Sequence, residues 1–337
     1  MARALTLARR GGAGTAPNPQ VGCVIVSANG QLLGEGWHIR PGAAHAEIQA
    51  LDNVRPQDKF LIRGATFYVT LEPCAHVGRT PPCADRLVAE QAGRVVIAVS
   101  DPFPAVNGKG IERLRKAGID VDVGLFADEA MAINERFWVN TLQQRPWVTL
   151  KWAQSRDGFI DPRPEEARTP GAGGVAITGH FAQIVTHQLR AQHHSILVGR
   201  KTAEIDEPAL TNRLAPGKSP LKWVAENSRK LPANHPFFAN NTQRIDELNN
   251  DVLRGMFSRH GVHSLMIEGG QAVLQHALDN MTVDEVVILQ GESKLEGGLP
   301  APRIPNDFAI IRDVRLQNDH AFWLRKNKGS ASLNPTS

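Results

Sequence analysis

Apolar and polar positions change period several times along the chain, and each change marks an element. Val21–Val26 and Gln31–Gly36 are short apolar runs separated by the turn pair Asn29-Gly30, a pattern that predicts a hairpin. Ala44–Asp52 has helical spacing. A strand over Thr66–Leu71, a helix over Cys83–Ala92 and a strand over Arg94–Val99 follow. Gly108–Ala117 then reads as helix, Ile119–Gly124 as strand and Ala127–Leu142 as one long helix. This alternation of strand and helix predicts an α/β layer fold.

Arg145-Pro146 interrupts that pattern, and a second domain is expected from Trp147–Gln154 onward. Its other predicted strands are Ser195–Gly199, Leu221–Ala225, Ser264–Glu268 and Val283–Gln290, with helices at Phe181–Gln192 and Gly270–Asn280. Asp161–Gly174 is rich in Pro, Gly and charge and reads as loop. Asn227–Gly261 is polar, with one helix expected at Ile245–Phe257 and no clear strand. The expected division is 1–145, 146–326 and a disordered tail at 327–337.

Composition narrows the class. At 337 residues the chain suits two domains. Hydrophobic residues make up 42% and charged residues 21%, the balance of a globular protein rather than a disordered one. No apolar run reaches the ~18 residues of a membrane span, and the N-terminal segment mixes arginines with apolar residues instead of forming a secretory h-region. The expected compartment is cytoplasmic. Lys plus Arg number 38 against 34 Asp plus Glu, and the excess is dispersed, so no nucleic-acid arm is predicted. The three cysteines, Cys23, Cys74 and Cys83, are too few for a disulfide framework and suggest metal binding instead.

The chemistry concentrates in three pieces: His45-Ala46-Glu47, Leu71-Glu72-Pro73-Cys74, and Cys83 at the predicted start of a helix. One imidazole and two thiolates can hold zinc in three positions and leave the fourth for water, whose pKa then falls to roughly 7. Glu47 is the carboxylate available to carry protons between water, ring nitrogen and leaving amine. Residues two apart on a regular helix point away from each other, so His45 and Glu47 can converge only at an irregular first turn. Each piece alone is weak, since buried His and Cys are common in cores. Their joint order matches the signature of zinc base deaminases, with eight residues between the cysteines instead of two.

Taken together, Pro17-Asn18-Pro19, Gly36-x-His38, His45-Ala46-Glu47 and the run Thr70-Leu71-Glu72-Pro73-Cys74-x-His76-x-Gly78-Arg79-Thr80-Pro81-Pro82-Cys83 resemble the bifunctional riboflavin-biosynthesis deaminase/reductase family. The resemblance continues through Asp101-Pro102 and Gly108-x-Gly110. It implies a cytidine-deaminase-like three-layer domain that hydrolyses the 2-amino group of a diaminopyrimidinone carrying ribosylamine 5-phosphate. His45, Cys74 and Cys83 would hold Zn2+, and Glu47 would be the proton shuttle. Asn18 and His38 would touch the pyrimidine or ribose, and His76 and Arg79 would line the substrate loop.

The second half resembles the family's reductase, which has a dihydrofolate-reductase-like fold and uses NADPH. Carrying the resemblance are Val148-Thr149-Leu150-Lys151, Ser155-x-Asp157-Gly158, Ile177-Thr178, Leu189-Arg190-Ala191, Asp206-x-Pro208-x-Leu210-Thr211-x-Arg213 and Ile267-Glu268-Gly269-Gly270. It implies NADPH contacts from Ala153, Ala176, Thr202, Asp206, Asn227 and the stretch opening at Gly270. Substrate contacts would come from Gly174, Arg190, Leu210, Arg213 and Glu268, with Asp206 near the hydride-transfer site. Ala176 stands where the family usually has Trp, Glu207 where it has Asn or Asp, and Glu226 where it has Asp. A homo-oligomer, dimer or tetramer, acting on a phosphorylated small molecule is the family expectation. Two other readings compete: a deaminase with a non-catalytic second half, and a tRNA-editing deaminase, which would need a basic, aromatic stacking surface.

Overall fold

The computed structural model describes residues 1–75, 81–103, 107–228, 230–232, 234–238 and 241–327. The chain divides into two compact units, Met1–Gln143 and Gln144–Ser337.

The first unit is a five-stranded sheet between two helical layers. In chain order it comprises α1 (Ala2–Gly11), β1 (Gly22–Val26), β2 (Leu32–Trp37), α2 (Ala46–Asp52), β3 (Thr66–Val69), α3 (Cys83–Ala89), β4 (Arg94–Ile97), α4 (Lys109–Lys116), β5 (Asp120–Val123), α5 (Ala127–Ile133) and α6 (Glu135–Gln143). The strand order is β2-β1-β3-β4-β5. The predicted hairpin is present, with β1 antiparallel to both β2 and β3, while β3, β4 and β5 run parallel. Alternation along β1 explains the layers. Cys23 and Ile25 face a core with Ala46, Ala50, Ala84, Leu87 and Leu114, whereas Val24 packs with Ala4 and Leu7 of α1.

The long helix expected over Ala127–Leu142 is two helices. Asn134 separates them and uses its side chain elsewhere: Oδ1 accepts from Gln20 N at 2.7 Å and Nδ2 donates to Gln20 O at 2.9 Å.

The second unit contains β6 (Trp147–Gln154), β7 (Phe159–Asp161), α7 (His180–Gln192), β8 (Ser195–Gly199), α8 (Arg200–Ile205), β9 (Leu221–Ala225), β10 (Gln243–Ile245), α9 (Asn250–His260), β11 (Ser264–Ile267), α10 (Gln271–Asn280), β12 (Glu285–Gln290), β13 (Leu299–Pro300), β14 (Phe308–Leu316) and β15 (Asp319–Lys326). Eight strands form one sheet in the order β10-β9-β8-β11-β6-β12-β15-β14. The six from β10 to β12 are parallel, and β15 and β14 close the edge antiparallel. Central β8 is buried on both faces: Leu197 packs with the α9 and α10 residues Leu253 and Leu274, while Ile196 and Val198 pack with Leu189 and Ala203 of α7 and α8.

Three expectations need correction here. Gln243–Ile245 is a short strand, parallel to β9, inside the segment read as strandless. The helix expected at Ile245–Phe257 runs instead over Asn250–His260, because the Asn249 side chain caps it by accepting from Val252 N at 2.9 Å. The C-terminal hairpin β14–β15 lies beyond the last predicted strand and carries order through Lys326. Residues 328–337 of the expected tail lie outside the described residues.

Candidate active sites

His45 is the N-cap of α2, with extended backbone (φ −70°, ψ 164°), and Glu47 sits within the first turn of that helix. The irregular entry lets both side chains face one place. Pro82 caps α3, so Cys83 opens it, as the Pro81-Pro82 pair predicts. Cys74 follows the end of β3. The donor atoms of His45, Cys74 and Cys83 lie within 4.8 Å of one another, and this is the one such cluster found among the described residues. His45 Nδ1 is 3.6 Å from Cys74 Sγ and 3.3 Å from Cys83 Sγ. The Cys83 backbone N–H donates to Cys74 Sγ at 3.3 Å. One imidazole nitrogen and two thiols converging on a common point, with a backbone donor directed at one sulfur, fit zinc.

Charge in this cluster is shared. Cys74 is held near 4 by the Cys83 thiol it accepts, with His45 and the Cys83 N–H adding to the effect against burial. Cys83 is pushed up because it gives that proton and is itself buried. His45 is raised to about 9 by its hydrogen bond to Cys74. Glu47 is 3% exposed, and burial pushes its carboxyl up to about 7.

His38 and Asn18 stand together beside this cluster, but their roles separate. His38 Nδ1 is 3.3 Å from Ala44 O and Nε2 is 3.1 Å from Asn18 Nδ2, so both ring nitrogens are used inside the protein. Burial lowers the His38 pKa, so the ring is neutral and accepts from Asn18 through Nε2. His38 orients Asn18 and also meets His45 edge to face at 5.6 Å between ring centroids. His76 and Arg79 lie outside the described residues.

Glu72, part of the Leu71-Glu72-Pro73-Cys74 run, organises the site. Buried at 4% exposure, it accepts four backbone N–H groups: Gly110 at 2.9 Å and Ile111 at 3.2 Å on Oε1, Gly108 at 3.0 Å and Asp101 at 3.2 Å on Oε2. These include the open N–H groups at the start of α4. Gly110 is required because a Cβ there would lie 2.0 Å from Pro73 O. The strand end that carries Cys74 is therefore fastened to α4. A Glu followed far downstream by Gly-x-Gly was the available sequence signal.

In the second unit, Glu268 follows β11 and is bound by two cations. Lys151 Nζ donates to Oε1 at 3.0 Å, and Arg190 donates through Nη2 to Oε1 at 2.8 Å and Nε to Oε2 at 2.9 Å. Burial alone would raise the Glu268 pKa, but the Lys151 and Arg190 charges outweigh it and hold the carboxyl at about 2. Arg190, expected to contact substrate, also donates to Thr211 O at 3.1 Å. Arg213 is exposed, with its backbone N–H donating to His187 Nδ1 at 2.9 Å.

Thr202 and Gly270 are brought together: Thr202 Oγ1 lies 2.9 Å from where a Gly270 Cβ would stand, so only bare backbone fits. Asp206 ends α8, and Gly174 lies beside it. The Leu210 side chain is buried in the core with Val198 and Val224, and its backbone has φ +51°. Ala153 is half-buried, whereas Ala176 and Asn227 are exposed. Glu226, next to Asn227, is structural. It accepts from Leu231 N at 2.9 Å and pairs with Arg244 at 3.3 Å. No described helix is long and apolar enough to cross a membrane.

The class that these two units define is a zinc-type deaminase fused to a nucleotide-dependent reductase, and comparison with known proteins agrees. Residues 1–99 match the cytidine and deoxycytidylate deaminase zinc-binding region, and residues 146–322 match the RibD C-terminal domain. The riboflavin biosynthesis protein RibD of Aquifex aeolicus is 42% identical over 97% of this chain and 93% of its own. RibD of Escherichia coli is 47% identical over 63% of this chain and 55% of its own. Among solved structures, the diaminohydroxyphosphoribosylaminopyrimidine deaminase/5-amino-6-(5-phosphoribosylamino)uracil reductase of Thermotoga maritima superposes with a TM-score of 0.84 at 29% identity, covering 97% of each chain. RibD of Acinetobacter baumannii gives 0.83 at 30% identity, covering 97% of this chain and 98% of its own. The chain belongs to the RibD family of bifunctional riboflavin-biosynthesis deaminase/reductases. Zinc for the deaminase and NADPH for the reductase are the cofactors of these domains. The family match over the second half supports the bifunctional reading against both a scaffold role for that half and tRNA editing.

Proposed function

We propose that His45, Cys74 and Cys83 hold zinc and that Glu47 carries the proton in hydrolysis of the 2-amino group of 2,5-diamino-6-(5-phosphoribosylamino)pyrimidin-4-one. The convergence of the three donors beside buried Glu47 is the observation that carries this reading. Zinc bound there supplies the Lewis acidity that makes water nucleophilic near neutral pH. Glu47 takes the proton from that water and hands protons on to the ring nitrogen and the departing amine. Asn18, held by His38, orients the ring or ribose. By the family resemblance, Arg79 and His76, between the cysteines in sequence, would contact the substrate.

The second unit then reduces the ribosyl group to ribityl with hydride from NADPH. Gly270 and Thr202 receive the cofactor, with Ala153, Ala176 and Asn227 at its margins. Gly174, the Leu210 backbone, Arg213 and the Arg190–Glu268 pair face substrate, and Asp206 stands at the reacting sugar carbon. We read residues 1–145 as the deaminase domain and 146–326 as the reductase domain. We also read the protein as a cytoplasmic homo-oligomer without a nucleic-acid partner. Exposed Ile310 and Ile311 on edge strand β14 support association.

The test is a mass-spectrometric product assay with the diaminopyrimidinone ribosylamine phosphate. Deamination without NADPH, and deamination plus reduction with it, is expected. A product that is deaminated but never reduced would remove the reductase half of the reading.

A further inference from the structure

Asp206 closes the C-terminal end of α8, where its backbone N–H donates to Thr202 O at 3.0 Å. Its Oδ1 is buried and has no hydrogen-bond partner among the described residues. The cation facing that oxygen is Arg168, whose Nη2 lies 3.5 Å away. Arg168 comes from the loop over 162–174, whose composition marked it only as irregular chain.

Arg168 is fixed. Its side chain is 9% exposed, and its Nε donates to Asp161 Oδ2 at 3.0 Å. Asp161 ends β7 and is itself buried. It also holds Arg163, taking its backbone N–H and Nε on Oδ1, both at 2.9 Å, and its Nη2 on Oδ2 at 2.8 Å. Arg163 Nη2 reaches on to Gly173 O at 3.0 Å. The same loop is fastened to α8 by Gly171 N to Glu204 O and Gly173 N to Ile205 O, both at 3.0 Å, and by the Lys201–Glu165 ion pair. One buried carboxylate at a strand end therefore aims an arginine at a second carboxylate at a helix end.

We propose that Arg168, anchored on Asp161, is a positioning residue that holds the Asp206 carboxyl in its working orientation for the reductase step. This rests on the reading of Asp206 as a reductase residue. Exposed ion pairs contribute little, but the Arg168 side chain is 9% exposed and the Asp206 oxygen that it faces is buried, and burial strengthens a charge contact. Burial raises the Asp206 pKa, Arg168 and then Arg163 oppose that, and Asp161 adds to it. On α8 itself, Glu204 is paired with Arg200 and Lys201 with Glu165; beyond the helix, Glu207 lies 4.0 Å from His235. Removing the Arg168 charge should therefore move the Asp206 titration to higher pH.

The experiment uses the full chain with zinc, NADPH and the deaminated phosphoribosylamino-uracil as substrate. Arg168→Gln is expected to lower reductase kcat about tenfold with KM nearly unchanged, and to shift the Asp206 limb of the kcat profile to higher pH. Arg168→Lys should restore most of the rate and the limb. A wild-type denaturant-unfolding transition of the second unit reports that the variant is folded. Wild-type kcat and an unmoved limb in Arg168→Gln would overturn the proposal, as would equal losses in both variants with the limb in place. Asp206→Ala separates the two readings. An Asp206→Ala enzyme that still reduces substrate sinks the role of Asp206, whereas an inactive Asp206→Ala beside a normal Arg168→Gln sinks only that of Arg168.

Discussion

Glu72 accepts the Gly110 backbone N–H at 2.9 Å, which ties the segment bearing one thiol donor to the beginning of α4. Three further N–H groups share the same carboxylate. Glu72→Ala removes the acceptor of the buried Gly110 and Ile111 N–H groups, a change of roughly 2–4 kcal/mol for donors to a charged acceptor. Denaturant unfolding of the first unit should show this loss, and the variant should retain less zinc after dialysis. Unchanged stability with full zinc would show that water or a neighbouring group replaces the carboxylate.

Glu47→Gln keeps size and removes the proposed proton carrier. Zinc content should stay at the wild-type level while deamination falls by about 10²–10⁴-fold. Ammonia release measured beside elemental analysis decides this. Normal turnover would assign the proton to another group.

Chelation should separate the two activities. Removing zinc is expected to abolish deamination and to leave reduction of supplied deaminated substrate intact, since the three donors all belong to the first unit. Loss of NADPH-dependent reduction in the chelated protein would contradict independent sites.

Acid should weaken the second unit through Glu268. Its folded pKa, about 2, is below that of an unfolded glutamate, so its stabilisation is present above pH ~4.3 and is lost as pH falls toward 2. The shift corresponds to roughly 3 kcal/mol. Glu268→Gln should flatten the stability profile of this unit across that window. A wild-type profile already flat between pH 5 and 2 would mean that Lys151 and Arg190 stabilise the fold without the carboxylate charge.

The deaminase site was legible because its residues carry local punctuation. Pro81-Pro82 announces a helix starting at Cys83, and the turn at Asn29-Gly30 announces the hairpin. Where a long-range contact overrides local pattern, the sequence misleads. Asn134 looks like any polar residue of a helix until its exchange with Gln20 is seen. The β14–β15 hairpin escapes because β14 has an irregularity between Ile310 and Arg312, which breaks the period of two. Leu210 reads as a ligand contact by resemblance, and nothing in its local sequence announces that its side chain is 3% exposed in the core. Arg168 lies in a stretch whose Pro and Gly content says loop and nothing about what the loop holds.

The Asn134–Gln20 exchange also bears on how much chain makes a working module. Gln20 follows Pro17-Asn18-Pro19, so the segment that carries Asn18 is held by Asn134, 114 positions beyond Gln20. Glu72 likewise finds its partners at Asp101, Gly108, Gly110 and Ile111. A fragment ending at residue 99, the limit of the matched zinc-binding region, would contain all three candidate zinc donors and the proposed proton carrier. It would still lack the groups that hold them in register. The functional unit is therefore longer than the segment its chemistry occupies, and its minimum length is set by supports that never meet the substrate.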